Sequence, residues 1–335
     1  MSVNLGTRYL GMSLKNPLVV SACPLTGNLD SLKRLEDAGA AAAVLPSLFE
    51  EQIEHLDCQL SELYDFNANS SPESQSYFPE MESYNTGPDG YLAHLRAAKE
   101  AVDIPIIASL NGTTAGGWTR YAKMIEDAGA DVLELNIYIV PTQRDLSGQN
   151  VEKQYLDLVR SVRSTISIPL SVKVGDVFSS PADMAVRLTE AGANGLVLFN
   201  RYLEPDIDLE TLEVVPKLVL STEQKDRLPI RWIAVLRNRV IASLAANTGI
   251  HDRDDVLKVL FAGADVAMMA SVLLKNGPEY LSVILSGLEE WLQERQYCSV
   301  AQMKGSVSQF NCVDPSAYER ANYTRALVSY RTEVS

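Results

Sequence analysis

Four segments of this sequence share one pattern, in which a polar, helix-like stretch ends in Ala-Gly-Ala or a close variant and an apolar run follows directly. The glycines of the four copies are Gly39, Gly129, Gly192 and Gly263. A glycine just past a helix often takes the left-handed conformation that ends the helix, and a continuous apolar run is typical of a strand buried on both faces. The pattern therefore predicts a repeated unit of helix followed by parallel strand.

Apolar runs and helical patterns alternate along most of the chain. The apolar runs predict strands at 14–22, 41–47, 104–110, 131–136, 168–174, 196–199, 241–246 and 266–270. Apolar residues at helical spacing predict helices between them, with a last helix at 278–293. Eight strand and helix pairs favour an α/β fold of the (β/α)8 TIM barrel type, although a doubly wound open sheet has the same order of elements.

Two stretches interrupt this alternation and a third follows it. Residues 50–90 are rich in Ser, Asn, Glu and Tyr and end in a dense turn signal, and residues 201–228 show no regular pattern. We expect a single domain over 1–335, with an insertion or lid at 50–90, a second insertion at 201–228 and a C-terminal extension at 296–335. Long loops are usually functional or disordered, and Tyr64, Tyr77 and Tyr84 suit a lid and a dimer surface equally well.

Composition excludes several classes of function. The formal charge of −14 would repel nucleic acids and anionic membranes. The four cysteines are widely spaced, which favours reduced thiols over a zinc site or disulfide framework. The sequence shows no export signal and no run of about 18 apolar residues. We therefore expect a cytoplasmic protein that acts on a small molecule.

The residues that end the predicted strands locate the candidate site, because the active site of a barrel lies at the C-terminal ends of its strands. These residues are Ser21, Ser47, Ser109, Asn111, Asn136, Lys173, Asn200, Asn247, Thr248 and Ser271. This ring contains no His, Asp or Glu, which disfavours a hydrolase and a metal site. Amides and hydroxyls instead suit a polar, largely neutral heterocycle such as a flavin.

Lys173 is the one cation of this ring, and it lies between valines in the fifth predicted strand. Facing a flavin, it would stabilise the negative charge that develops at N1 and O2 of the reduced ring. It could instead pair with a barrel carboxylate such as Glu134, or form a Schiff base with a carbonyl substrate. Asn136 is either a ligand residue opposite Lys173 or a simple turn former.

The loops after the seventh and eighth strands form the usual phosphate site of this fold. Here they contain Asn247, Thr248 and Gly249 in one loop and Ala270 and Ser271 in the other. Small residues of this kind allow backbone amides to approach a phosphate. An ordinary turn is the alternative, and it gains weight from the acidic residues at 252, 254 and 255.

Several of these segments together resemble the dihydroorotate dehydrogenase family, and in particular its divergent dihydroorotate dehydrogenase-like branch. The resemblance rests on N-P-L-V-V at 16–20, E-L-N at 134–136, P-L-S-V-K at 169–173 and the stretches 249–264, 270–271 and 277–278, which match in order over most of the chain. It implies a (β/α)8 barrel that holds FMN and passes hydride between a substrate C–C bond and flavin N5. It also implies a homodimer.

The resemblance assigns roles to particular residues. Lys173 matches the lysine at the flavin pyrimidine edge, Asn136 an asparagine that touches flavin and substrate, and Asn85 a substrate-binding asparagine. The FMN phosphate positions are Thr248, Gly249, Ala270 and Ser271, and Asn200 matches an asparagine after the sixth strand. The predicted cofactor-binding set also includes Ser21, Ala22, Ser47 and Asn247.

The chain departs from the family pattern at three residues and also after the sixth strand, where the family's long glycine-containing segment is barely recognisable. Pro46 stands where the family has a lysine, Thr248 replaces one of two glycines in the phosphate loop, and Ile139 occupies the position of the catalytic cysteine or serine. Isoleucine cannot remove a proton, and loss of a general base costs about 10²- to 10⁴-fold in rate. Tyr138 is the nearest replacement, so we name it a candidate catalytic residue beside Lys173.

Three hypotheses follow. The first is an FMN-dependent oxidoreductase that acts on a CH–CH bond of a small cyclic, pyrimidine-type substrate without the usual base. The second is a degenerate barrel that binds FMN, or only a phosphate, and has no dehydrogenase activity. The third is a lyase or aldolase that uses Lys173 as a Schiff base.

Overall fold

The computed structural model describes residues 3–53, 87–114, 116, 119–201, 205–216, 219–222 and 227–329. Most of the predicted insertion at 50–90 lies outside the described residues. Asn85 and the tyrosines at 64, 77 and 84 lie outside them as well.

The central element is a closed barrel of eight parallel strands. In chain order the strands are β1 (Leu18–Val20), β2 (Ala42–Phe49), β3 (Ile106–Asn111), β4 (Val132–Asn136), β5 (Leu170–Val174), β6 (Gly195–Leu198), β7 (Ser243–Asn247) and β8 (Val266–Met269). Each strand pairs with the next, and β8 pairs with β1. The predicted barrel is confirmed, and the open sheet is excluded because the last strand closes on the first.

Helices surround the barrel between successive strands. They are α1 (Leu29–Asp37), α2 (Gly87–Ala101), α3 (Arg120–Asp127), α4 (Gly148–Thr165), α5 (Pro181–Glu190), α6 (Arg227–Leu236), α7 (Arg253–Ala262), α8 (Ser271–Asn276) and α9 (Tyr280–Glu294). Asn28 caps α1 and Asp252 caps α7 through their side chains. Pro181 opens α5, and the Ser180 side chain before it makes no capping hydrogen bond.

The glycines of the sequence repeat all follow helices and all have positive φ, from +96° at Gly129 to +123° at Gly263. Gly263 also has no room for a side chain, because an added Cβ would lie 2.7 Å from Cγ of Arg237. The repeated pattern therefore marks the turn from each helix into the strand that follows it, as the sequence predicts.

A hairpin covers the N-terminal end of the barrel. Its strands, Thr7–Tyr9 and Met12–Leu14, pair antiparallel. Leu10 in the turn packs against Gly195, so closely that a Cβ added to Gly195 would lie 2.5 Å from Cδ2 of Leu10. Tyr9 and Leu10 join the apolar side chains of the barrel interior. The N-terminal end is thus filled, and the polar positions of the strands lie toward the other end.

Two details differ from the sequence expectation. Strand β2 continues to Phe49, and its register with β3 shifts between Val44 and Ser47, because Pro46 has no amide hydrogen for the ladder. The stretch 201–228, expected to be irregular, contains an antiparallel hairpin of Pro205–Asp208 and Glu213–Pro216.

The C-terminal segment packs on the N-terminal end of the barrel. It includes α10 (Val300–Met303) and α11 (Ala321–Ser329). Lys304 forms an ion pair of 2.6 Å with Asp265, which is itself buried beside β8. Within the described residues, every helix is too short or too polar to cross a membrane.

Candidate functional site

Inward-facing polar side chains form two levels inside the barrel. Strand register places Ser109, Glu134 and Ser171 side by side at the lower level, and Asn111, Asn136 and Lys173 side by side at the upper level. Neighbouring residues of parallel strands in register point to the same side, and positions two apart share a face. The upper level therefore lies at the C-terminal mouth of the barrel, with the lower level beneath it.

Lys173 is buried between two partners. Its Nζ lies 3.5 Å from Oε1 of Glu134, which is an ion pair without hydrogen-bond alignment, and 3.4 Å from Oγ of Ser21. The two charged side chains are 7% and 0% exposed. This ion pair places the Lys173 amine at the mouth, above the Glu134 carboxylate of the lower level.

Beneath Lys173 lies a group of poorly satisfied polar atoms. Neither carboxylate oxygen of Glu134 accepts a hydrogen bond from a described residue, and the hydroxyls of Tyr9 and Ser171 are likewise unbonded within the described part of the chain. These two hydroxyls are neighbours, but they are not in hydrogen-bonding geometry. Burial raises the pKa of Tyr9, and the nearby Glu134 carboxylate raises it further.

Most of the predicted cofactor residues line one cavity at the mouth. They are Ser21, Ala22, Lys173, Asn200, Asn247, Thr248, Gly249, Ala270 and Ser271. Asn136 is outside this lining set, but its Oδ1 accepts a hydrogen bond of 2.9 Å from Asn200 Nδ2. Ser47 is also outside it, and its hydroxyl lies 2.7 Å from that of Ser109.

The predicted phosphate loop has an unusual backbone. Thr248 has φ +83° and Gly249 has φ +79°. A β-branched residue at positive φ is an outlier whose strain is of the order of 1–3 kcal/mol, and such strain clusters at functional sites. The Thr248 hydroxyl donates a bond of 3.2 Å to the carbonyl of Phe199, which helps to hold this conformation.

The acidic residues after this loop are engaged by the protein itself. Asp252 accepts hydrogen bonds from the amides of Asp254 and Asp255 at the start of α7. Asp255 also pairs with Lys258 at 3.0 Å. These contacts offset the negative charge that weighed against a phosphate at this loop.

Tyr138 and Ile139 lie beside the mouth rather than in the cavity lining. The Tyr138 ring packs over Gly175, where an added Cβ would lie 3.3 Å from the ring. Ile139 donates its backbone amide to the Tyr155 hydroxyl at 3.2 Å, and its side chain lines a separate groove with Thr113 and Thr114. The position that the resemblance assigns to the catalytic base is therefore occupied by a hydrocarbon side chain.

Further cavity residues lie outside the predicted set, among them Arg201, Cys23 and Ser221. Cys23 follows directly after Ser21 and Ala22, so the strand-end rule could have found it, and burial raises the pKa of its thiol. Ser221 comes from the stretch 201–228, where no pattern marks it. It reaches the phosphate loops through contacts with Ser271 and His251.

The donor set of the cavity fits a flavin mononucleotide. One ammonium group and several amides and hydroxyls can face the edge of a polar ring, while Gly249 and Ala270 keep the loops small enough for close approach. The site therefore combines a place for a neutral heterocycle with a place for an anion.

Comparison with known proteins gives a consistent result. The model of the family described as dihydroorotate dehydrogenase matches residues 74–292. A protein named dihydroorotate dehydrogenase B (NAD(+)), catalytic subunit, from Methanothermobacter thermautotrophicus is 24% identical over 309 residues, which cover 90% of this chain and 97% of the relative. The proteins of that name from Caldicellulosiruptor bescii and Methanocaldococcus jannaschii are 23% identical over 313 residues and 24% identical over 304 residues. These matches cover 91% and 87% of this chain, and 100% and 94% of the relatives.

Proposed function

The chain belongs to the dihydroorotate dehydrogenase family, whose members are oxidoreductases acting on a CH–CH bond, and from this premise we propose a specific reaction. The protein holds FMN at the barrel mouth and exchanges hydride between the flavin and a CH–CH bond of a small cyclic, pyrimidine-type substrate. The observation that carries the proposal is the single cavity that joins Lys173 to the strained phosphate loop at Thr248.

Different residues of the chain would hold the ring and the phosphate of the cofactor. Lys173 would contact the pyrimidine edge of the ring, beside the hydrogen-bonded pair of Asn136, at the end of β4, and Asn200, just after β6. The phosphate is held by the loops at 248–249 and 270–271. Bound FMN supplies the two-electron redox chemistry, and the ammonium of Lys173 stabilises negative charge on the reduced ring.

Proton transfer is where this chain differs from the family pattern. Oxidation of a dihydropyrimidine removes a proton and a hydride together, and Ile139 can accept no proton. We therefore propose that another group near the substrate, such as Tyr138, transfers the proton: it would accept the proton in oxidation and donate it when the protein works in the reducing direction. Asn85 remains our proposal for a substrate-binding residue.

The assembly and location of the protein are also proposals. The resemblance to the family supports a homodimer, and three relatives carry the words catalytic subunit in their names, so other subunits belong in any test of assembly. We propose residues 50–90 as a lid or dimer surface, and a cytoplasmic location. The acidic chain argues against nucleic-acid and membrane partners.

The test begins with the purified protein and its flavin spectrum. We expect a yellow protein, or an apoprotein that gains flavin absorption when FMN is added. Anaerobic mixing with NADH, NADPH and dihydroorotate in turn then tests each as a reductant, and dihydroorotate should bleach the flavin only slowly. Rapid bleaching by dihydroorotate would contradict the missing-base argument, and a colourless protein that binds no FMN would refute the proposal.

The other two hypotheses give different results in the same experiment. A degenerate flavin-binding barrel stays oxidised with every donor and acceptor. A Schiff-base enzyme is trapped at Lys173 by borohydride with a carbonyl substrate, but the ion pair with Glu134 favours the ammonium form, which is not nucleophilic.

A further inference from the structure

A third loop reaches the phosphate side of the cavity. Ser221, which follows the hairpin of Pro205–Asp208 and Glu213–Pro216 in the chain, is buried and lines the cavity beside Thr248 and Ser271. Its backbone amide donates a hydrogen bond of 3.1 Å to Oγ of Ser271. The segment 219–222 is therefore attached directly to the loop that follows β8.

The Ser221 side chain is also held, and its partner is a buried histidine. Ser221 Oγ lies 3.1 Å from Nε2 of His251. The backbone amide of His251 in turn donates a bond of 2.9 Å to Oδ2 of Asp255, in the first turn of α7. His251 lies two residues after Gly249 and three after the strained Thr248, so the histidine that holds Ser221 belongs to the predicted phosphate loop itself.

This arrangement leaves the Ser221 hydroxyl able to bind a ligand. A hydroxyl has one donor and two acceptor positions, and one bond to an imidazole uses only one of them. Because both the backbone and the side chain of Ser221 are held, little conformational freedom remains to be lost when a ligand binds. A small anion in the cavity would therefore meet hydroxyls from two loops, at Ser221 and Ser271, and backbone amides at Thr248 and Gly249.

We propose that Ser221 is a ligand of the phosphate group of FMN, and that His251 is a positioning residue that fixes the Ser221 hydroxyl at the cavity wall. The inference rests on the proposed function, because it assigns a further residue to the phosphate end of the same cofactor. The ligand class is a phosphate monoester, and the isoalloxazine ring takes no part. Ser221 should therefore distinguish FMN from riboflavin, which lacks the phosphate.

The test is equilibrium binding of FMN and riboflavin to the full-length apoprotein, followed by flavin fluorescence. A hydrogen bond to a charged group contributes about 1.5–3 kcal/mol, so Ser221→Ala should weaken FMN binding by about 10- to 100-fold. Riboflavin affinity should change by less than about twofold, because that ligand has no phosphate. Ser282→Ala, at an exposed serine of α9, is the matched control and should change neither affinity.

His251 variants test the positioning role separately. His251→Leu removes the partner of the Ser221 hydroxyl and should lower FMN affinity while sparing riboflavin. His251→Gln places an amide where Nε2 lies and should restore most of the affinity. This rescue by a polar group would not occur if His251 only filled space.

The outcomes separate this inference from the proposed function. If the parent protein binds no FMN, the proposed function is wrong. If the parent binds FMN and Ser221→Ala binds it equally well, only the inference is overturned. Equal loss of FMN and riboflavin affinity in Ser221→Ala would also overturn it, since that result indicates general damage to the cavity.

Discussion

Replacing Lys173 by methionine tests the buried ion pair between Lys173 and Glu134 in the barrel interior. Burying two charges costs free energy, because both lose their contacts with water. Methionine keeps the length and apolar character of the lysine stem but leaves Glu134 without a cation. At a separation of 3.5 Å and an effective dielectric constant of about 20, the attraction between the two charges is about 5 kcal/mol. Removing one member of a buried pair typically costs about 3–5 kcal/mol, so both estimates predict a severe loss of stability for Lys173→Met.

The loss should depend on pH in a defined direction. In Lys173→Met the folded protein must bury Glu134 either as an unpaired carboxylate or as a neutral acid, and burial favours the neutral acid. The folded variant therefore binds a proton that the unfolded chain releases above about pH 4.3. Its stability relative to the parent should be best at low pH and should fall by up to about 1.4 kcal/mol per pH unit as pH rises.

Urea denaturation of the apoproteins at pH 5 and pH 8 measures this effect. The double variant Lys173→Met with Glu134→Gln removes both charges of this pair and should recover most of the loss at pH 8. The control is Lys153→Met, which removes an exposed ion pair with Asp157 on α4 and should cost at most about 0.5 kcal/mol. Equal destabilisation of Lys173→Met at both pH values, with no recovery in the double variant, would refute the reasoning.

Three further predictions use other parts of the structure. Tyr9→Phe removes a buried, unbonded hydroxyl and should leave the free energy of unfolding unchanged or higher, whereas Tyr91→Phe loses two buried bonds to a strand backbone and should lower it by about 1–3 kcal/mol. At Thr248, where φ is positive, glycine should be more stable than alanine by about 1 kcal/mol, and the order should reverse at Ser286 in helix α9. Lys123 and other hydrogen-bond donors lower the pKa of Glu126 to about 2. The stability that Glu126 contributes should therefore be full above about pH 4.3, and Glu126→Gln should differ from the parent less and less in denaturation curves as pH falls toward 2.

The fold was predictable because its signals are local. Each Ala-Gly-Ala copy combines a glycine with positive φ and the apolar run that enters the barrel, and both lie within a few residues of one another. The boundaries were less certain where a contact between strands decides them. Strand β2 passes through Pro46 by shifting its register with β3, a result that depends on a partner more than fifty residues away.

The candidate site was predictable where barrel geometry gathers strand ends, as at Ser21, Lys173 and Asn247. The site was not predictable where a residue comes from a segment outside the barrel strands and the loops that directly follow them. Ser221 reaches Ser271 from fifty positions earlier in the chain, and Tyr9 lies next to Glu134 only because the N-terminal hairpin fills the barrel. Nothing in the local sequence of either residue signals such a contact.

The departures from the family pattern differ in their consequences. A lost backbone conformation can be kept by another residue, whereas a lost side-chain function cannot. The backbone can keep the conformation that a glycine would give, and Thr248 does so at φ +83° with its hydroxyl bonded to the Phe199 carbonyl. The phosphate site that we propose, made largely of backbone amides, would therefore tolerate that substitution. Proton transfer needs a particular side chain, and no backbone conformation gives Ile139 an acidic or basic group. We therefore expect cofactor binding to persist in this chain and the proton-transfer step to be the part that has changed.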